Sequence, residues 1–98
     1  MPFKNQNVYG FTASGIVSAP SASGVYGIYN QAAWIYIGES GDIAARLGEH
    51  LVGTNSNPDI RKNAPTGFTY ELVLAAQRVQ RQDELIRELM PLANKKLG

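Results

Sequence analysis

The 98-residue chain has no cysteine, which excludes disulfide frameworks and thiolate metal sites and fits a cytosolic setting best. It has no run of about 18 uncharged apolar residues, the length a helix needs to cross a bilayer. Met1 to Asn7 also lack the continuous apolar stretch of a secretory signal. The expectation is a soluble, cytoplasmic domain with no membrane partner. An excess of one charge is missing too: nine Lys and Arg against eight Asp and Glu give +1. There is thus no bulk attraction to a polyanion, and any such contact must be local. With 44% apolar and 17% charged residues, the chain is neither disordered nor a charged coil. Its length suits one domain, burying roughly 60 to 70% of the unfolded surface, so a polar residue at a core position stands out.

Residues 1–23 are rich in Ser, Ala, Gly and Asn and carry Phe3, Tyr9, Phe11 and Pro20, which reads as an irregular arm packed on the core. Residues 24–98 form the domain proper. Gly24 to Tyr29 and Ala33 to Ile37 are dense in β-branched and aromatic residues and predict two strands. The short Asn30-Gln31-Ala32 link joins them as an antiparallel hairpin. Gly38 to Asp42 ends the second strand and offers Ser40 or Asp42 as a helix N-cap. A helix runs from there to about Leu51. Val52 to Thr66, with Gly53, Asn55, Asn57, Pro58 and Pro65, reads as a long loop. Phe68 to Ala75 is a third strand, and a last helix spans Gln77 to about Met90, stopped by Pro91. The tail closes as Leu92 to Lys96. The fold class is α+β: a small three-stranded, mostly antiparallel sheet flanked by helices, in the order β-β-α-β-α.

Two helices break their own pattern. In the first, Ile43, Ala44, Leu47 and Leu51 form the apolar stripe, with Arg46 and His50 neighbours on its edge, four residues apart. Either this is a surface Arg with a His satisfied at the sheet margin, or a pair lining a cleft. In the cleft Arg offers a planar fork for phosphate oxygens, and His can act as acid, base or donor near neutral pH. In the last helix, Val79, Leu85, Ile86, Leu89 and Met90 define the buried stripe, and Gln82 falls inside it. An inward amide in so small a domain needs a partner. Asp83 sits at one margin of the stripe. Tyr26 and Tyr36 belong to the hairpin and lie close to glycines, which remove bulk where a ligand backbone approaches.

Together, Gly24-Val25-Tyr26, Tyr36-Ile37-Gly38, Arg46 ten positions past Tyr36 and His50 four further on resemble the GIY-YIG nuclease superfamily. Leu85-Ile86, Pro91 and Asn94 match the end of that signature, so the resemblance spans residues 24 to 94. It implies metal-dependent endonucleolytic hydrolysis of a nucleic-acid phosphodiester, DNA being the expected partner. Tyr26 would activate the attacking water, Tyr36 would orient water or phosphate, and Arg46 would hold phosphoryl oxygens. His50 would assist the base or bind phosphate, and Asn94 would brace the site. Gly38, Glu39 and Ser40 would lie on the substrate side, and Mg²⁺ or Mn²⁺ would be the cofactor. No reader module is present to choose a site, so targeting would fall to a partner chain or a homo-oligomer.

One position departs from the family. Its metal-binding glutamate falls on Gln82, the same residue the helical wheel marks as inward. A neutral amide lacks the charge a hard cation favours. Asp83 supplies the carboxylate instead, or activity is weakened or lost, or another ligand set operates. Glu39 stands where some relatives carry lysine, either repelling phosphate or joining such a set. The alternative to a nuclease is therefore a degenerate domain that binds nucleic acid, or another phosphate-bearing partner, without cutting it.

Overall fold

The computed structural model describes residue 3 and residues 8–94. Residues 1–2 and 4–7 of the arm, and residues 95–98 with the Lys95-Lys96 end of the tail, lie outside the described residues. The order of elements is β1 (Tyr9–Gly10), α1 (Ala13–Ile16), β2 (Gly24–Tyr29), β3 (Trp34–Ser40), α2 (Ile43–Val52), α3 (Pro58–Lys62), β4 (Gly67–Leu72) and α4 (Arg78–Leu89). A single 3₁₀ turn over Ala75–Gln77 leads into α4. The strands form one antiparallel sheet in the order β1-β4-β2-β3. The α+β class stands, with four strands where three were expected.

The additional strand comes from the arm. The Tyr9 ring stacks on Phe68 and Tyr70 at centroid distances of 5.3 and 5.7 Å, which lays Tyr9 and Gly10 against Phe68 and Gly67 of β4. Thr12 then caps α1, its hydroxyl accepting from the Gly15 amide at 3.0 Å. The hairpin forms as its turn chemistry dictates: the Asn30 side-chain oxygen accepts from the amides of Ala32 and Ala33, both at 2.8 Å. Strand β3 does not end at Ile37. Gly38, Glu39 and Ser40 pair with Tyr26, Val25 and Gly24, because Gly38 serves as a ladder residue beneath a large neighbour rather than as a breaker. Asp42 caps α2 through a bond from the Ala45 amide at 3.1 Å.

The expected loop from Val52 to Thr66 contains a short helix. Pro58 sits in its first turn, the Asn57 side chain accepts from the Asp59 amide, and buried Ile60 anchors it.

Alternation along β2 divides the core between two faces. Tyr26 and Ile28 face α2 with Phe68, Ile43, Leu47 and Ile60. Val25 and Ile37 face α4 with Phe3, Leu85 and Ile86. Each fully buried Ile or Leu contributes about 1.5–3 kcal/mol. Two residues leave the expected α4 stripe. Val79 is exposed in the first turn, and Met90 has left the helix as its C-cap at φ 50°. On the α4 face, Arg81 of the helix grips the buried Glu71 of β4 with Nε and Nη2 at 2.9 and 3.0 Å. Glu71 lies on the row of Val25 and Glu39. Among the described residues, no helix is long and apolar enough to cross a membrane.

Candidate active site

The pairing of Tyr26 with Gly38 sets the geometry of one sheet face. A Cβ built on Gly38 would overlap the Tyr26 hydroxyl, so the phenol lies across the Gly38 backbone and only glycine permits it. Tyr36 shares this face, and His50 descends onto both rings from α2. The three centroids are 6.3 Å (Tyr26–Tyr36), 5.5 Å (Tyr26–His50) and 5.3 Å (Tyr36–His50) apart. Tyr26 is buried, whereas Tyr36 is only half-buried and keeps surface open to solvent.

His50 is not at an edge: it is 2% exposed. The wheel angle alone places it beside the stripe, but the segment after α2 folds over it. Its Nε2 lies 2.7 Å from the Tyr26 hydroxyl and its Nδ1 lies 2.7 Å from Ser56 Oγ. Burial, aided by the nearby Arg46 charge and opposed by Glu49, lowers its pKa from 6.5 to about 4. The imidazole is therefore neutral at pH 7. Burial also pushes the Tyr26 phenol well above its usual range; Tyr36 adds to the shift, and the Arg46 guanidinium pulls it back.

Arg46 lies one turn before His50 on α2. Its Nη1 donates to Glu49 at 2.8 Å and to the Asn55 carbonyl at 2.9 Å. A guanidinium has five N–H donors, so part of the fork is left for an anion. Asn94 makes a two-point clamp on the Ile37 peptide, accepting from its N–H at 2.8 Å and donating to its C=O at 2.9 Å. That fixes the edge strand between Tyr36 and Gly38. No buried side-chain nitrogen or oxygen among the described residues lacks a hydrogen-bond partner.

The remaining expected site residues are not joined to this cluster by hydrogen bonds. Glu39 faces α4, where Arg78 Nε holds it at 2.7 Å while Nη1 reaches Ser23 at 3.0 Å. Ser40 bonds the Asp42 backbone at the start of α2. Gln82 is half-buried on α4 and donates to Asp83 at 3.4 Å. Among the described residues no three His, Cys, Asp or Glu side chains gather in a way that could hold a metal ion. The position where the resemblance puts a metal-binding glutamate holds the neutral Gln82 amide with the Asp83 carboxylate beside it, a weaker donor set for a hard cation than a glutamate.

Sequence reasoning missed Ser56, the Glu39–Arg78 pair and the Glu71–Arg81 pair. Only the last left a signal, as a charged residue at an inward position within a strand.

These features define an α+β domain that gathers two tyrosines, an arginine and a histidine on one sheet face. No family model matches the sequence, and no curated protein matches it either. Among solved structures, the fold resembles the magnesium-bound GIY-YIG N-terminal endonuclease domain of UvrC from Thermotoga maritima. The identity is 24%, the TM-score 0.69, and the match covers 83% of this chain and 92% of that one. Two point mutants of the same domain, a tyrosine-to-phenylalanine and an asparagine-to-alanine form bound to the catalytic divalent cation, match at 23% and 22% identity. Both have TM-scores of 0.70 and cover 85% of this chain and 93% of theirs. The chain thus has the GIY-YIG domain fold that its resemblance to the family implied.

Proposed function

We propose that this domain is a GIY-YIG-type nuclease that acts on the phosphodiester backbone of nucleic acid, DNA in the first instance, in a soluble cytoplasmic setting. The observation that supports the reading is the convergence of Tyr26, Tyr36, Arg46 and His50 from β2, β3 and α2 onto one sheet face, on a fold shared with the UvrC endonuclease domain.

The roles follow from accessibility. Arg46 meets the phosphate, its fork offering paired donors to two oxygens and stabilising the charge that builds as water attacks. Tyr36, the tyrosine with open surface, orients that water. Tyr26 stands behind it, buried and bonded to His50. A phenol held protonated in this way is not a base at pH 7, so its part is to position Arg46 and Tyr36. Asn94 braces the strand that carries Tyr36, and a partner chain or second copy supplies targeting.

The UvrC structures carry a catalytic divalent cation. In this chain Gln82 is neutral with Asp83 beside it, and Glu39 is paired with Arg78, so Mg²⁺ or Mn²⁺ would meet less negative charge here than a glutamate would supply. The same observation favours a second reading, binding without cleavage.

Supercoiled plasmid incubated with the protein and Mg²⁺ or Mn²⁺ separates the two. Nicking that disappears in Tyr36→Phe and Arg46→Ala supports the nuclease. No nicking by wild type, but nicking by Gln82→Glu, identifies a disabled site. Salt-sensitive binding with no nicking by either protein identifies a binding domain.

A further inference from the structure

Between α2 and α3 the backbone turns sharply to bring residue 56 back onto the site. Asn55 adopts φ 51°, a left-handed conformation that Asn tolerates better than most residues. Its carbonyl accepts from Arg46 at 2.9 Å. On one side the Thr54 amide donates to the Glu49 carbonyl at 3.0 Å. On the other, the Asn57 amide group donates to the Ala93 carbonyl at 2.9 Å. The segment is thus tied to α2 and to the C-terminal segment, with the Ser56 hydroxyl held 2.7 Å from His50 Nδ1.

We propose that Ser56 is a positioning residue for the site: its oxygen accepts the Nδ1–H of His50 and fixes the tautomer whose Nε2 accepts the Tyr26 O–H. Its consequence for catalysis rests on the nuclease reading. The direction of the chain of bonds comes from Arg46, whose guanidinium bonds the Tyr26 hydroxyl and can only donate. The phenol turns its lone pairs toward that cation and its proton toward His50. In the opposite tautomer Nε2–H would donate to Tyr26 and turn the phenolic proton toward Arg46, against a positive charge. A neutral imidazole must donate from one nitrogen and accept at the other; Arg46 disfavours the tautomer that donates to Tyr26, and Ser56 makes the other one tenable by accepting its buried Nδ1–H at 2.7 Å. Without Ser56 that N–H is left buried with no acceptor, a cost that outweighs the preference set by Arg46. Arg46 makes the assembly cooperative, since it faces Tyr26 and also holds the peptide that precedes Ser56.

The chain has one histidine, so its imidazole ¹⁵N signals belong to His50 without ambiguity. Long-range ¹H–¹⁵N spectra at pH 7 are recorded for wild type, Ser56→Ala and Ser56→Thr, with the dispersion of the amide spectrum confirming that each is folded. Expected are a protonated Nδ1 and a bare Nε2 in wild type and Ser56→Thr, and predominantly the Nε2–H tautomer in Ser56→Ala. A wild-type imidazole protonated on Nε2, or a Ser56→Ala protein that keeps Nδ1–H, overturns the proposal. In plasmid nicking, Ser56→Ala should lose about tenfold in rate, the loss of one buried hydrogen bond's worth of positioning, while Ser56→Thr stays within about twofold. A switched tautomer with unchanged nicking refutes the catalytic consequence. If wild type does not nick at all, the nuclease reading fails, while the tautomer spectra still decide the assignment of Ser56.

Discussion

The sole histidine makes the acid stability of this domain a direct test of its interior. In the folded state His50 binds a proton only near pH 4, whereas the unfolded chain binds it near 6.5. Between those values the unfolded state holds more protons, so stability rises with pH there and is lost as pH falls. A tenfold difference in proton affinity between the two states corresponds to about 1.36 kcal/mol, so from pH 7.5 to 4.5 the linkage for one such group amounts to about 2.5 kcal/mol. Carboxylates titrate over the same range, so the comparison is made against His50→Gln, which removes the imidazole and keeps an amide able to donate and accept. Urea unfolding at both pH values is expected to show wild type losing about 2.5 kcal/mol more than the variant. The NMR titration midpoint of the imidazole is expected near 4 as well. Equal losses in the two proteins, or a midpoint at about 6 or above, would refute the burial and bonding on which the site description depends.

Two further outcomes follow from the sheet. Gly38→Ala forces a methyl group into the space of the Tyr26 hydroxyl, and urea unfolding should show a loss of about 2 kcal/mol, with the His50 imidazole signals shifting as the phenol is displaced. Asn94→Ala removes both bonds to the Ile37 peptide; it should cost about 1–2 kcal/mol, and amide exchange should quicken selectively along β3.

Local chemistry was legible and long-range closure was not. Strands β2 and β3 declare themselves through β-branched and aromatic runs, and Asn30 through its turn, because each acts within a few residues. Strand β1 has no such signature. Two residues of a Ser- and Gly-rich arm become a strand only because the Tyr9 ring finds Phe68 and Tyr70 far along the chain. Helix α3 depends in the same way on Ile60 reaching the core. In the site, Tyr26, Tyr36, Arg46 and His50 were named together through the family resemblance, and the fold sets the two phenols and the imidazole side by side. The helical wheel still misplaces His50 at an edge, because what buries it is the segment around Ser56, outside the helix. Gln82 shows the limit from the other side. Its inward tendency was readable, but its surroundings were not: the carboxylate beside it is the adjacent Asp83, while the fold gives Glu39 to Arg78.

On the proposed nuclease reading, the near-neutral charge of the chain is reconciled with an anionic substrate by how Arg46 is held. Its partner Glu49 is 41% exposed at the side chain, and an ion pair so open to water is worth about 0–1 kcal/mol. On that reading an arriving phosphate would displace Glu49 at little cost. The bond from Nη1 to the Asn55 carbonyl is different, because a main-chain acceptor fixed by a left-handed turn does not move when the carboxylate leaves. Arg46 is thus oriented by backbone and merely neutralised by Glu49. The site exposes no standing excess of positive charge to attract polyanions at a distance, yet it presents an aimed guanidinium once one is in contact. The same segment that aims Arg46 also seats Ser56 against His50, so a single turn of chain after α2 governs both the guanidinium and the Tyr26–His50 pair behind it.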